Sequence, residues 1–154
     1  MPEKELKLED LLKSSPKLGE QDSINEIAII GAGVMGQGIA QTISAAGMDV
    51  LLIEKNDKNL KQSKAMLSEY IDREIKRWAM TKSDKKTILS RIVWDTNFDK
   101  IADRDLIIEA VDEDFDLKVN LFSQLDKKAK KDCIFVSNSS TLSLTAISRG
   151  PCWK

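Results

Sequence analysis

The chain has 154 residues, enough for one domain with a proper core. Its 24 Lys and Arg nearly balance 25 Asp and Glu, so it carries no basic footprint for nucleic acid or for an anionic membrane surface. It contains no histidine, which excludes a histidine base, triad or zinc site built from these residues, and its apolar runs fall far short of the ~20 residues that span a bilayer.

The charged start, Met1-Pro2-Glu3-Lys4-Glu5, is unlike a secretory or organelle-targeting segment, which leaves the cytoplasm as the expected compartment. Cys133 and Cys152 make neither a disulfide framework nor a metal cluster. Cys133 opens an apolar run, where a small buried thiol is expected.

Residues 1–23 are polar, contain Pro16 and Gly19, and read as an extension or linker. A short apolar patch at Leu6, Leu8, Leu11 and Leu12 leaves a small docking helix as the alternative. The folded domain occupies 24–154. It opens on the apolar run Ile27-Ala28-Ile29-Ile30, which breaks into closely spaced glycines and then becomes helical. That pattern predicts a strand at 26–30, a tight turn, and a helix at 35–46 with Met35, Ile39 and Ile43 on one face and Gly47 as its stop.

Gly31, Gly33 and Gly36 have the G-x-G-x-x-G spacing of a dinucleotide-binding turn. The first glycine permits the turn, the second lets backbone approach a pyrophosphate, and the third packs helix on strand. Ala32, Val34 and Met35 complete the loop, and the helix start offers free N–H groups to phosphate. A second apolar strand at 49–53 ends in Glu54, 18 residues beyond Gly36. An acidic side chain about 20 residues on accepts hydrogen bonds from the ribose hydroxyls and repels a 2'-phosphate, which favours NAD over NADP. Lys55, the next residue, weighs the other way. The plainer alternative is an ordinary strand-to-helix turn with a solvated Glu54.

A long helical pattern at 58–80 follows, with Leu60, Leu67, Ile71, Ile75 and Trp78 directed at the core. Then come a short helix at 83–91 capped by Ser83, a strand at 92–96, a connection at 98–102, and a strand at 106–109 whose first three residues are apolar, as in a parallel strand covered on both faces. An acidic loop at 111–116 leads into a helix at 115–130 with Leu117, Leu121, Leu125 and Ala129 inward. A strand at 133–136 delivers Ser137-Asn138-Ser139-Ser140-Thr141 to the carboxyl edge of the sheet, ahead of a helix at 144–148. Strands alternating with helices give an α/β fold, a doubly wound parallel Rossmann sheet with helices on both faces. Its ligand crevice lies where the strand order reverses. On residue type alone, Glu113 and Lys118 are solvated charges and the Ser/Asn/Thr run is a turn capping the next helix.

Three motifs in order resemble the NAD-binding domain of the L-3-hydroxyacyl-CoA dehydrogenases: Ile30-Gly31-Ala32-Gly33-Val34-Met35-Gly36-Gln37-Gly38-Ile39-Ala40-Gln41; Leu106-Ile107-Ile108-Glu109-Ala110-Val111 with Glu113 and Lys118; and Ser137-Asn138-Ser139-Ser140-Thr141-Leu142. The resemblance runs from about Glu26 to Ser148. It implies NAD as cofactor and an acyl-CoA as substrate. Glu113 and Lys118 would contact the cofactor near its nicotinamide ribose, and Ser140 would bond the substrate's 3-oxygen. Arg77 stands where the family carries a CoA-binding lysine, but Tyr70 replaces a serine there, so a solvated basic face competes with CoA contact.

In that family a catalytic histidine and a helical, dimer-forming domain follow. The tail Arg149-Gly150-Pro151-Cys152-Trp153-Lys154 does not resemble that continuation. The expectation is an NAD-binding domain of a 3-hydroxyacyl-CoA dehydrogenase of fatty acid metabolism, inactive alone. The alternative is a stand-alone nucleotide-sensing or interaction module without catalysis. Exposed apolar surface around Trp153 and the sheet edge makes a homo-oligomer possible.

Overall fold

The computed structural model describes residues 24–77 and 79–148. The extension with its leucine patch, Trp78, and the tail with Cys152 and Trp153 lie outside these residues. The elements run β1 (Ile27–Ile30), α1 (Val34–Ala45), β2 (Val50–Ile53), α2 (Asp57–Lys76), α3 (Lys82–Ser90), β3 (Ile92–Asp95), a 3-10 turn (Phe98–Ile101), β4 (Leu106–Glu109), α4 (Phe115–Lys128), β5 (Ile134–Ser137) and α5 (Leu144–Ser148).

All strand pairings are parallel, in the order β3-β2-β1-β4-β5. This is the doubly wound sheet, and its order reverses between β1 and β4. Register sets the carboxyl edge: Ile30 lies opposite both Ile53 and Glu109, and Glu109 lies opposite Ser137. The residue types follow the two-sided burial. Ile27, Ile29, Val50, Leu52 and Ile92 pack with Leu67, Ile71 and Ile88 on one face. Ala28, Ile30, Leu51, Ile53 and Ile107 pack with Ile101, Leu121, Phe122, Leu125 and Ile147 on the other. Each fully buried Ile or Leu contributes about 1.5–3 kcal/mol.

Four helix expectations are corrected. In α1 the buried face is Gly36, Gln37, Ala40 and Ser44, whereas Met35 is 54% exposed. Small residues at i, i+4 and i+8 let this helix sit close against the sheet, which larger side chains would prevent. Helix α2 ends at Lys76 rather than 80, its C-cap being Arg77, whose N–H bonds back to the carbonyls of Arg73 and Glu74. Helix α3 is capped by Thr81, not Ser83: the Thr81 hydroxyl accepts from the Asp84 N–H while Asp84 accepts from the Thr81 N–H, a reciprocal capping box.

Helix α4 keeps Leu121 and Leu125 inward as expected, but its buried face takes in Lys118 and Phe122 in place of Leu117, which is 45% exposed. It stops at Lys128, because Ala129 turns to extended backbone. Cys133 lies just ahead of β5, only partly buried, and burial raises its thiol above the ordinary value. No helix among the described residues is long and apolar enough to cross a membrane.

Candidate cofactor site

The glycine turn joins β1 to α1 at the switch point. Gly31 has φ +98°, and a Cβ there would come within 2.6 Å of the Ala110 carbonyl oxygen, so only glycine suits the position. A Cβ on Gly36 would fall 1.9 Å from the Gly31 carbonyl oxygen, so this residue lets the helix close on the turn. A Cβ on Gly33 would meet nothing within 4 Å; the backbone there faces open space, as a site approached by a ligand must. Gly33 is the N-cap of α1 and supplies no side-chain cap, which leaves the helix's first N–H groups to a bound anion. The buried Gln37 braces the turn by donating to the Ala32 carbonyl at 2.8 Å.

Opposite the turn, Glu54 follows β2 directly, and its Oε2 accepts the Ala32 N–H at 3.1 Å while Oε1 accepts the Lys55 N–H at 2.8 Å. The carboxylate is thus fixed against the glycine turn. Beside these groups opens a cleft of about 710 Å³, lined by Gly31, Ala32, Gly33, Val34, Glu54 and Lys55. Its volume suits an extended small-molecule cofactor. Asn59, Thr96, Phe98, Asn120 and Gln124 also line it, and the sequence reading passed over them. Their signal was position: Thr96 and Phe98 follow the carboxyl end of β3, the edge at which ligands of such sheets lie. Met35 and Gly36 are not among the lining residues; Gly36 acts by packing.

At the far end of β4 the structure joins Glu113, Lys118 and Ser140. Glu113 Oε1 accepts from the Ser139 hydroxyl at 2.6 Å, the Thr141 hydroxyl at 2.8 Å, and the N–H groups of Ser140 and Thr141 at 3.2 and 3.1 Å. The two hydroxyls, chiefly that of Ser139, hold its carboxyl well below the usual carboxylate range. The loop carrying Ser140 is therefore ordered by Glu113, and Ser140 itself is exposed. Its neighbour Ser143, rather than the Ser137–Thr141 run, caps α5 by accepting the Ala146 N–H at 3.3 Å.

Lys118 is no solvated charge. Its side chain is 1% exposed, and its ammonium lies 2.6 Å from Glu109 Oε1 and 3.2 Å from Glu113 Oε2. Glu109, passed over as a site residue because it ends an apolar strand, is fully buried and also accepts from the Val111 N–H at 2.8 Å and the Ser137 hydroxyl at 2.5 Å. Arg77 stands apart: it closes a helix about 30 Å long that starts beside the cleft, pairs with Glu74 at 3.7 Å, and lines no part of the cleft. Tyr70 lies under the Arg73 guanidinium, 5.9 Å from ring centre to Cζ.

A family model for the NAD-binding domain of 3-hydroxyacyl-CoA dehydrogenase matches residues 26–151. The chain belongs to this family. It is an NAD-binding domain of the 3-hydroxyacyl-CoA dehydrogenases. It is 37% identical over 122 residues to a 3-hydroxybutyryl-CoA dehydrogenase of Clostridioides difficile, covering 79% of this chain and 43% of that protein. A solved (S)-3-hydroxybutyryl-CoA dehydrogenase from Ralstonia eutropha superposes with a TM-score of 0.77 at 36% identity, over 82% of this chain and 44% of that one. The dehydrogenase part of a Caenorhabditis elegans multifunctional enzyme gives 0.77 at 33% identity, over 83% of this chain and 29% of that one. The chain thus spans less than half the length of these relatives. A lactate dehydrogenase from Eimeria maxima shares the fold at 11% identity and a TM-score of 0.58.

Proposed function

We propose that this domain supplies the cofactor half of a 3-hydroxyacyl-CoA dehydrogenase: reversible hydride transfer between NAD and C3 of a 3-hydroxyacyl-CoA. The observation that carries the reading is the pairing of an open glycine turn at an uncapped helix start with a carboxylate fixed against it by the Ala32 N–H. The N–H groups of the turn and of the start of α1 bind the pyrophosphate, and Glu54 receives the adenosine ribose hydroxyls and repels a 2'-phosphate. When bound, NAD supplies a nicotinamide whose C4 accepts or returns the hydride. Glu113 and Lys118 serve the nicotinamide-ribose end. Ser140, presented on the loop that Glu113 orders, holds the substrate's 3-oxygen by its hydroxyl. Arg77, its guanidinium largely exposed, is the candidate partner for a CoA phosphate.

The 154 residues contain no histidine, so the hydroxyl proton has no imidazole base among them, and we place that step outside this chain. Removing a general base costs about 100- to 10,000-fold, so turnover by this chain alone is negligible. The same observation favours a second reading, a nucleotide-sensing module without chemistry. Exposed Ile134 and Val136 on the edge strand β5 support self-association. A fluorescence titration with NADH, run beside a 3-hydroxybutyryl-CoA oxidation assay, tests the proposal. Binding with negligible turnover is expected. Absence of binding overturns the cofactor reading, and turnover near that of a full-length relative overturns the placement of the proton step.

A further inference from the structure

The buried Glu109 has no part in the function proposed above. A fully buried Glu and Lys seldom gain stability over apolar side chains of similar volume, because desolvation offsets their attraction. Their location suggests another use. Glu109 closes β4 at the switch point, in register with Ile30 before the glycine turn and with Ser137 before the hydroxyl loop. Ala110, the next residue, is what Gly31 must stay small to clear.

One carboxylate therefore ties three parts of the crevice together. It fixes the start of the 111–116 loop through the Val111 N–H, the 137–141 loop through the Ser137 hydroxyl, and α4 through the Lys118 ammonium. Ser137 in turn accepts the Ser139 N–H at 3.2 Å. Lys118 passes the constraint to Glu113, which orders the backbone of Ser140 and Thr141.

We infer that Glu109 is a positioning residue for the nicotinamide end of the cofactor: through Lys118 and Ser137 it holds Glu113 and the 137–141 loop in one arrangement. The inference rests on the dinucleotide reading above, and it makes a claim that reading does not. Glu109 governs binding of the nicotinamide half and leaves the adenosine and pyrophosphate half alone, since the glycine turn and Glu54 make no hydrogen bond to it.

The experiment compares calorimetric affinities for NADH and for ADP, which lacks the nicotinamide and its ribose, in the wild-type chain and in Glu109→Gln, Ser137→Ala and Glu109→Gln/Lys118→Met. The double variant removes the unpaired buried ammonium along with the carboxylate, so it folds even if Glu109→Gln does not. Losing hydrogen bonds to a charged group predicts NADH affinity lower by about tenfold in Glu109→Gln, and lower still in the double variant, which also loses Lys118 from the nicotinamide-ribose end. ADP affinity should stay within about twofold of wild type. Ser137→Ala should move the ratio in the same direction by less. Folded variants with an unchanged ratio, or with both affinities falling in parallel, would make the cluster merely structural and overturn the inference. A wild-type chain that binds neither ligand overturns the dinucleotide reading itself.

Discussion

The Lys118 ammonium lies 2.6 Å from Oε1 of Glu109, and neither side chain is more than 1% exposed. Removing one partner of such a pair leaves the other as an uncompensated buried charge. Lys118→Met is therefore expected to lower the unfolding free energy by about 3–5 kcal/mol. Adding Glu109→Gln to it should recover most of that loss. Urea unfolding of the single and double variants checks this, and equal losses in both would show that the pair is not coupled.

Gly33 and Gly36 are separated by what a methyl group would meet. Gly36→Ala would place Cβ 1.9 Å from a backbone oxygen, so the turn or the helix must move. We expect destabilisation of at least about 1–3 kcal/mol, with loss of NADH binding. Gly33→Ala meets open space at an ordinary φ of -69°. It should melt close to wild type and still bind NADH less well, because the methyl occupies the approach to the backbone. Thermal melts with an NADH titration of each variant separate the two roles; matching losses of stability would contradict them.

Glu113 gives the acid limb of stability a defined sign. The Ser139 and Thr141 hydroxyls lower its folded-state carboxyl below the ordinary value of 4.5. The native state therefore binds fewer protons than the unfolded chain over that interval. Its contribution is fully present above the ordinary value and is lost as pH falls towards the lowered one. Glu113→Gln should flatten the decline in stability below about pH 4.5. Denaturant midpoints from pH 7 down to pH 3 test this, and parallel curves for variant and wild type would exclude it.

The order of elements was legible because the strands are nearly all apolar and the punctuation is strong: Gly31 and Gly47 both take positive φ, at the positions where the sequence predicts a turn and a helix stop. Helix faces were less legible. Periodicity placed Leu117 inward, and the structure places Lys118 there instead. One residue turns a helix by about 100°, and the partner that makes a lysine tolerable in the core is Glu109, nine residues earlier on another element. No local pattern contains that pairing. The Thr81 cap was legible in principle, since Thr81 and Asp84 have the i, i+3 spacing of a capping box. Ser83 drew the assignment two residues late.

Glu54 should decide between the two nicotinamide dinucleotides. Its carboxylate is held at the turn by the Ala32 N–H, so it cannot swing clear without giving up that hydrogen bond. Glu54→Ala should weaken NADH by about tenfold and weaken NADPH less, narrowing the discrimination while Lys55 remains to meet a phosphate. Competition of the two cofactors on the variant measures this, and an unchanged preference would take Glu54 out of the ribose site.

The most direct test of the central claim is calorimetric titration of the folded wild-type chain with NADH and, in parallel, with NADPH. Saturable one-to-one binding of NADH, with clear preference over NADPH, is the predicted result. A chain that is folded by circular dichroism yet binds neither would mean that its glycine turn and cleft serve structure alone, and would contradict the account.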